Sequence, residues 1–95
     1  MSTGDGLQHD IEMAARILRE VGAREVFVFG SASREEPPAG CDLDLAVRGL
    51  PPERFFDAMS RVALAISRPL DLVDLDERNP FTEYLERKGE LRRVA

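Results

Sequence analysis

Two aspartates flank a leucine in the stretch D-L-D-L-A-V at residues 42–47. Side chains alternate along a strand, so Asp42 and Asp44 share a face, with Cα atoms roughly 6.5–7 Å apart. At that spacing both carboxylates reach one hard cation, or bridge two cations about 3.5–4 Å apart. Leu43, Leu45 and Val47 point the other way, into a core. A bare D-x-D also fits an edge strand with a solvated acidic face, but two like charges repel unless a cation lies between them. A second acidic segment, L-D-L-V-D-L at 70–75, carries Asp71 and Asp74. Aspartate is depleted in strands, and these two are an odd number apart, so only one can join Asp42 and Asp44. Asp71 lies inside the strand, where an unpaired carboxylate is costly, and is the favoured third ligand. Asp74, near the strand's end, is the alternative and is also placed to cap the turn. A third feature is Gly30-Ser31 at the end of the apolar run E-V-F-V-F. Glycine allows close backbone approach to a ligand, Ser31 adds a hydroxyl, and free N–H groups at such a turn cradle an anion. Taken alone, a glycine ending a strand is an ordinary turn.

The composition narrows the chemistry. Cys41 is the single cysteine and His9 the single histidine, which excludes an intramolecular disulfide, a cysteine-based zinc site and a histidine cluster. A metal must then be held by oxygen, favouring magnesium, calcium or manganese. The 95 residues are 33% charged and 43% hydrophobic, a globular composition. Thirteen basic residues, all arginine but Lys88, face eighteen acidic ones, for a net charge of −5. That balance argues against a protein that coats nucleic acid through a basic stripe, but not against a nucleotide bound through a metal. No apolar run approaches the ~20 residues that span a bilayer, so no membrane partner is expected. The polar residues 1–10 do not read as a signal peptide, and a cytoplasmic location follows as the expectation.

The elements that position these residues are legible in the periodicity. Leu7, Ile11, Ala14, Ala15, Leu18 and Val21 recur at helical spacing, predicting a first helix that ends at Gly22 after a frayed 1–6. His9, between Gln8 and Asp10, reads as solvated surface. Residues 25–29 are apolar on both faces, as in a central strand. Residues 31–41, with Pro37, Pro38 and Gly40, form the longest loop. Residues 42–47 predict a second strand. A second helix follows from Pro52 to about residue 67, with Phe55, Met59, Val62, Ala63 and Ile66 on its apolar face. A third strand spans 70–75. Asn79-Pro80 caps a short third helix stopped by Gly89, and 90–94 adds a short edge strand. The Phe55/Phe56 and Phe81/Tyr84 pairs read as core or interface, and Cys41 as a small buried residue rather than a nucleophile. The expectation is α/β: a small mixed β-sheet flanked by helices, in the order α-β-β-α-β-α-(β), forming one domain over 1–95.

The stretch V-F-V-F-G-S-A-S-R-E-E-P-P-A-G-C-D-L-D-L-A-V resembles the signature of the polymerase-beta-like nucleotidyltransferase superfamily. It is most similar to the minimal nucleotidyltransferases (MNT), small proteins often partnered with HEPN-domain subunits. The downstream P-L-D-L-V-D-L resembles their third-strand segment, and the similarity covers about 26–91. Two positions depart from the pattern. Glu35 stands where a small residue usually follows the arginine, adding negative charge near a phosphate site. Cys41 stands where serine usually precedes the D-x-D. Neither removes a metal ligand.

The resemblance implies the polymerase-beta-like fold and a mechanism. Asp42, Asp44 and Asp71 would hold two Mg²⁺ ions, with Mn²⁺ as the other admissible metal. Gly30 and Ser31 would bind the triphosphate of a nucleotide, ATP in the main reading. Arg34 matches the family's arginine after glycine-serine, a phosphate contact; the plainer reading is a surface arginine paired with Glu35 or Glu36. Asp71 is the residue placed to help deprotonate an acceptor hydroxyl. The family transfers a nucleoside monophosphate to that hydroxyl and releases pyrophosphate. Within the MNT group the implied role is an antitoxin that modifies a HEPN toxin. A chain this short lacks the domains that larger members use to hold base and acceptor, which implies a HEPN-domain partner or a homodimer. The alternative class is a catalytically silent module that binds nucleotide or caps its partner.

Overall fold

The computed structural model describes residues 6–88 and 90–95. Helix α1 (Leu7–Val21) buries the six apolar residues named above, all of them 8% exposed or less. The proposed fray at 1–5 and the stop at Gly89 lie outside the described residues. Gly6 belongs to the helix start: its carbonyl accepts the Asp10 N–H at 2.9 Å. At the other end Gly22, with φ 129°, lets its N–H turn back to the Leu18 and Arg19 carbonyls.

Four strands form one mixed sheet: β1 (Glu25–Phe29), β2 (Leu43–Arg48), β3 (Leu70–Asp74) and β4 (Arg92–Arg93). Their spatial order is β3-β2-β1-β4, with β1 antiparallel to β2 and β4, and β2 parallel to β3. The apolar β1 is interior, as its composition predicts. The parallel β2–β3 pair needs a crossover, supplied by a 3-10 turn (Pro52–Arg54) and helix α2 (Phe55–Ala65). Helix α3 (Pro80–Lys88) follows β3; Asn79 Oδ1 caps it by accepting the Thr82 N–H at 2.9 Å.

Helices α1 and α2 cover one face of the sheet, burying Val26, Val28, Leu43, Leu45 and Val47. On the other face, Phe29, Ala46, Leu75 and Leu85 of α3 form a smaller cluster. Several expectations are corrected. Strand β2 begins at Leu43, leaving Asp42 at its mouth. Helix α2 ends at Ala65, and Ala58 rather than Ala63 is buried, because Ala63 lies five residues on, about 140° round the helix from the buried face. Of the aromatic pairs, Phe55 packs on the core and the Phe81 ring meets buried Phe29 edge-on at 6.1 Å, whereas Phe56 and Tyr84 stand 73% and 42% exposed. Among the described residues no helix is long and apolar enough to cross a membrane.

Candidate functional site

The strand directions bring the candidate residues to one end of the sheet. Because β2 runs antiparallel to β1 and parallel to β3, the exit of β1 meets the entries of β2 and β3. The register pairs Phe29 with Asp44, and Asp44 with Asp71. Asp44 and Asp71 therefore leave the same face of neighbouring strands. Asp74 pairs with Val47 and belongs to the opposite face. Its Oδ1 accepts the Asp76 N–H at 2.9 Å, capping the turn after β3.

Burial raises the pKa of Asp44 from its ordinary value, and the charges of Asp71 and then Asp42 raise it further. Among the described residues none of these three carboxylates has a hydrogen bond or salt bridge to a side chain or backbone group. The donor chemistry suits a hard divalent cation. Among the described residues, however, no group of three or more acidic, histidine or cysteine side chains is arranged to hold a metal ion. Asp42 and Asp71 are exposed, so their side chains keep rotamer freedom that Asp44 lacks.

The exit from β1 is a 3-10 turn (Gly30–Ser33). Buried Ala32 pins it to the core, Ser33 Oγ donates to the Gly30 carbonyl at 2.7 Å, and the Arg34 N–H donates to the Ser31 carbonyl at 3.2 Å. Gly30 has φ 72°, and a Cβ there would meet the Asp44 Oδ2 carboxylate oxygen. Glycine is thus required twice, by the left-handed backbone and by the close approach of Asp44. Gly30→Ala is expected to cost about 1–2 kcal/mol for the backbone alone, lowering Tm by roughly 5–15 °C. In an Asp44→Ser background the same substitution costs measurably less; an equal loss in both backgrounds would refute the contact.

A cleft of about 660 Å³ opens beside this turn, lined by Gly30, Ser31, Ser33, Arg34 and Asp44, and from the far side by Arg92. Three predicted phosphate-site residues and one predicted metal ligand thus share a concavity, with Asp42 and Asp71 adjoining Asp44 outside its lining. Ser31 makes no side-chain hydrogen bond among the described residues, and Arg34 forms no ion pair with Glu35 or Glu36.

Sequence reasoning missed a clamp behind the site. Asp10, which carried no reading of its own in the sequence, is 3% exposed. Its Oδ2 accepts Arg68 Nε at 2.9 Å and Ser67 Oγ at 2.8 Å, while Arg68 Nη1 donates to the Cys41 carbonyl at 2.9 Å. One buried ion pair thereby ties α1 to the residues that precede both Asp42 and β3. A signal existed: Asp10 is three residues after Leu7 and four before Ala14, on the apolar stripe. Cys41 is itself buried, and His9 is exposed.

No protein-family model matches the sequence, and no curated protein matches it significantly. Solved structures do match. A crystal structure of the toxin–antitoxin MntA–HepT aligns at 19% identity and TM-score 0.63 over 90% of this chain and 69% of the other. A toxin–antitoxin with AMP-PNP aligns at 21% identity and TM-score 0.66, covering 90% and 70%. A tri-AMPylated Shewanella oneidensis HEPN toxin in complex with MNT antitoxin aligns at 21% identity and TM-score 0.65, covering 92% and 70%. The fold is the MNT, polymerase-beta-like fold. At these identities the likeness is one of fold, and the site must be argued from this chain's own residues.

Proposed function

We propose that this chain is a nucleotidyltransferase of the MNT antitoxin type, moving AMP from ATP to a hydroxyl on a HEPN-domain partner. The observation that carries the reading is the meeting of the Gly30–Ser33 turn with Asp44, and of Asp44 with Asp71, at one end of the sheet. The similarity of the fold to a tri-AMPylated HEPN toxin's complex with its MNT antitoxin, and to a toxin–antitoxin with AMP-PNP, supports it.

In the proposed reaction the acceptor oxygen attacks the α-phosphorus. The bond to the bridging oxygen breaks, and pyrophosphate leaves with that electron pair. Ser31 donates its hydroxyl to a phosphate oxygen, and Arg34 neutralises phosphate charge. Asp71 takes the acceptor's proton. Asp42, Asp44 and Asp71 would hold Mg²⁺, which when bound neutralises phosphate charge and makes the attacking hydroxyl more acidic. A second reading, nucleotide binding without turnover, is favoured by one observation: the three carboxylates do not converge as a formed metal site.

The test is incubation of the chain with α-labelled ATP, Mg²⁺ and a HEPN-domain partner. Label is expected on the partner, lost with EDTA and with Asp42→Asn/Asp44→Asn. Transfer that survives the double substitution would overturn the assigned site. ATP binding with no labelled acceptor would establish the silent reading.

A further inference from the structure

We infer that Arg92, on β4, is a second arginine of the phosphate site, holding the pyrophosphate end of the nucleoside triphosphate together with Arg34. The inference deepens the reading above and rests on it. Arg92 pairs in register with Val28, whose side chain is buried on the α1 face, whereas Asp44 pairs with Phe29 on the opposite face. The two charged residues therefore leave opposite faces of the sheet and meet in one cleft at its end. Arg34 and Arg92 also line a second, contiguous hollow of about 450 Å³, which Leu7 and Ile11 of α1 wall off. The site thus has polarity: carboxylates where the transferred phosphorus would sit, and two guanidinium groups toward α1, where the remaining two phosphates would extend.

Of the arginines without an ion pair among the described residues, these two line the cleft. In a chain with eighteen acidic residues, Arg93 pairs with Glu25, Arg48 with Glu25 and Glu86, and Arg61 with Asp57. Arg34 and Arg92 have no ion pair among the described residues, although Glu35 and Glu90 are close in sequence. Glu90 lines the same cleft, so without Arg92 the β4 side would present only a carboxylate to the phosphates. Two planar guanidinium groups from separate elements match a diphosphate, because each can give a bidentate pair of N–H bonds to phosphate oxygens.

Calorimetric titration with ATP, inorganic pyrophosphate and AMP, each with Mg²⁺, tests the inference on the full chain. Arg92→Gln is expected to weaken ATP and pyrophosphate binding roughly 10- to 100-fold, leaving AMP binding and Tm unchanged. Arg92→Lys, which keeps the charge and loses the fork, is expected between Gln and the parent. An Arg92→Gln chain that binds ATP and pyrophosphate as the parent does overturns the role of Arg92 and leaves the proposed reaction standing. Weakened pyrophosphate binding in a chain that labels no acceptor upholds the arginine pair and overturns the reaction. A parent chain that binds neither ligand overturns both.

Discussion

Asp44→Asn is expected to melt above the parent chain in EDTA and to lose label transfer by roughly 10³-fold or more, the scale of removing a principal electrostatic stabiliser of a transition state. Both effects have one cause. Asp44 is partly buried beside Asp71 and near Asp42, and among the described residues no cation or donor compensates it. In the metal-free chain its ionised form opposes folding. Asparagine keeps the shape and removes the repulsion, a gain of roughly 0.5–1 kcal/mol for a group screened by solvent, or about 2–8 °C in Tm. With magnesium the order closes or reverses, because an ion that binds only the folded parent stabilises it by mass action. Paired melts with EDTA and with Mg²⁺ check this. The parent shifts upward with Mg²⁺ and Asp44→Asn does not; equal shifts in both chains would remove Asp44 from the metal site.

The largest loss of stability is expected from Asp10→Asn. The Asp10 and Arg68 side chains are 4% and 5% exposed, and Nε lies 2.9 Å from Oδ2. Neutralising the carboxylate breaks a buried ion pair by removing one partner, at a cost of about 3–5 kcal/mol. In a chain of this size that lowers Tm by roughly 12–30 °C. Burial alone would raise the pKa of Asp10, but the hydrogen bonds from Arg68 and Ser67 and the Arg68 charge outweigh it, holding the carboxyl below its ordinary value. A carboxyl whose folded pKa is depressed stabilises fully above its unfolded value, and the benefit is lost as pH falls through the folded one. The gap in Tm between parent and Asp10→Asn is therefore complete at pH 7 and closes in acid, below the ordinary carboxylate range. Melting curves across pH 2.5–7 measure it, and a gap under about 1 kcal/mol at pH 7 would show the pair to be dispensable. Asp10→Leu/Arg68→Met, which removes both charges, should recover much of the loss. The position of Cys41 before Asp42 makes this a pair that orients the site as well as a stabilising one.

Much of the architecture was legible because it is local. The helical spacing from Leu7 to Val21, the doubly apolar run that became β1, the alternation of β2 and the Asn79-Pro80 start of α3 each follow from side-chain periodicity or a cap. The misses have tertiary causes. Asp10 lies in a polar run beside Gln8 and His9, yet its place on the apolar stripe buries it, and Ser67 and Arg68, far along the chain, make that burial tolerable. Ala63 gave way to Ala58 because the rotation of α2 is set by the sheet it crosses. Phe56 and Tyr84 read as core or interface by composition, and the packing of α2 and α3 on the sheet leaves both exposed.

The sequence by itself determined which chemistry this chain can attempt: oxygen ligands only, aspartates in strands, and a glycine-serine turn after a buried strand. Those are properties of residue type and near-neighbour spacing. Only the tertiary structure decided that Asp71 stands beside Asp44 while Asp74 turns away, because strand register fixes which alternate residues share a face. Only it brought Arg92 to the cleft that Gly30, Arg34 and Asp44 line, because β4 returns along β1 from the far end of the sequence. Periodicity specifies faces within an element, whereas the meeting of faces from different elements depends on register and packing order, which no local pattern contains.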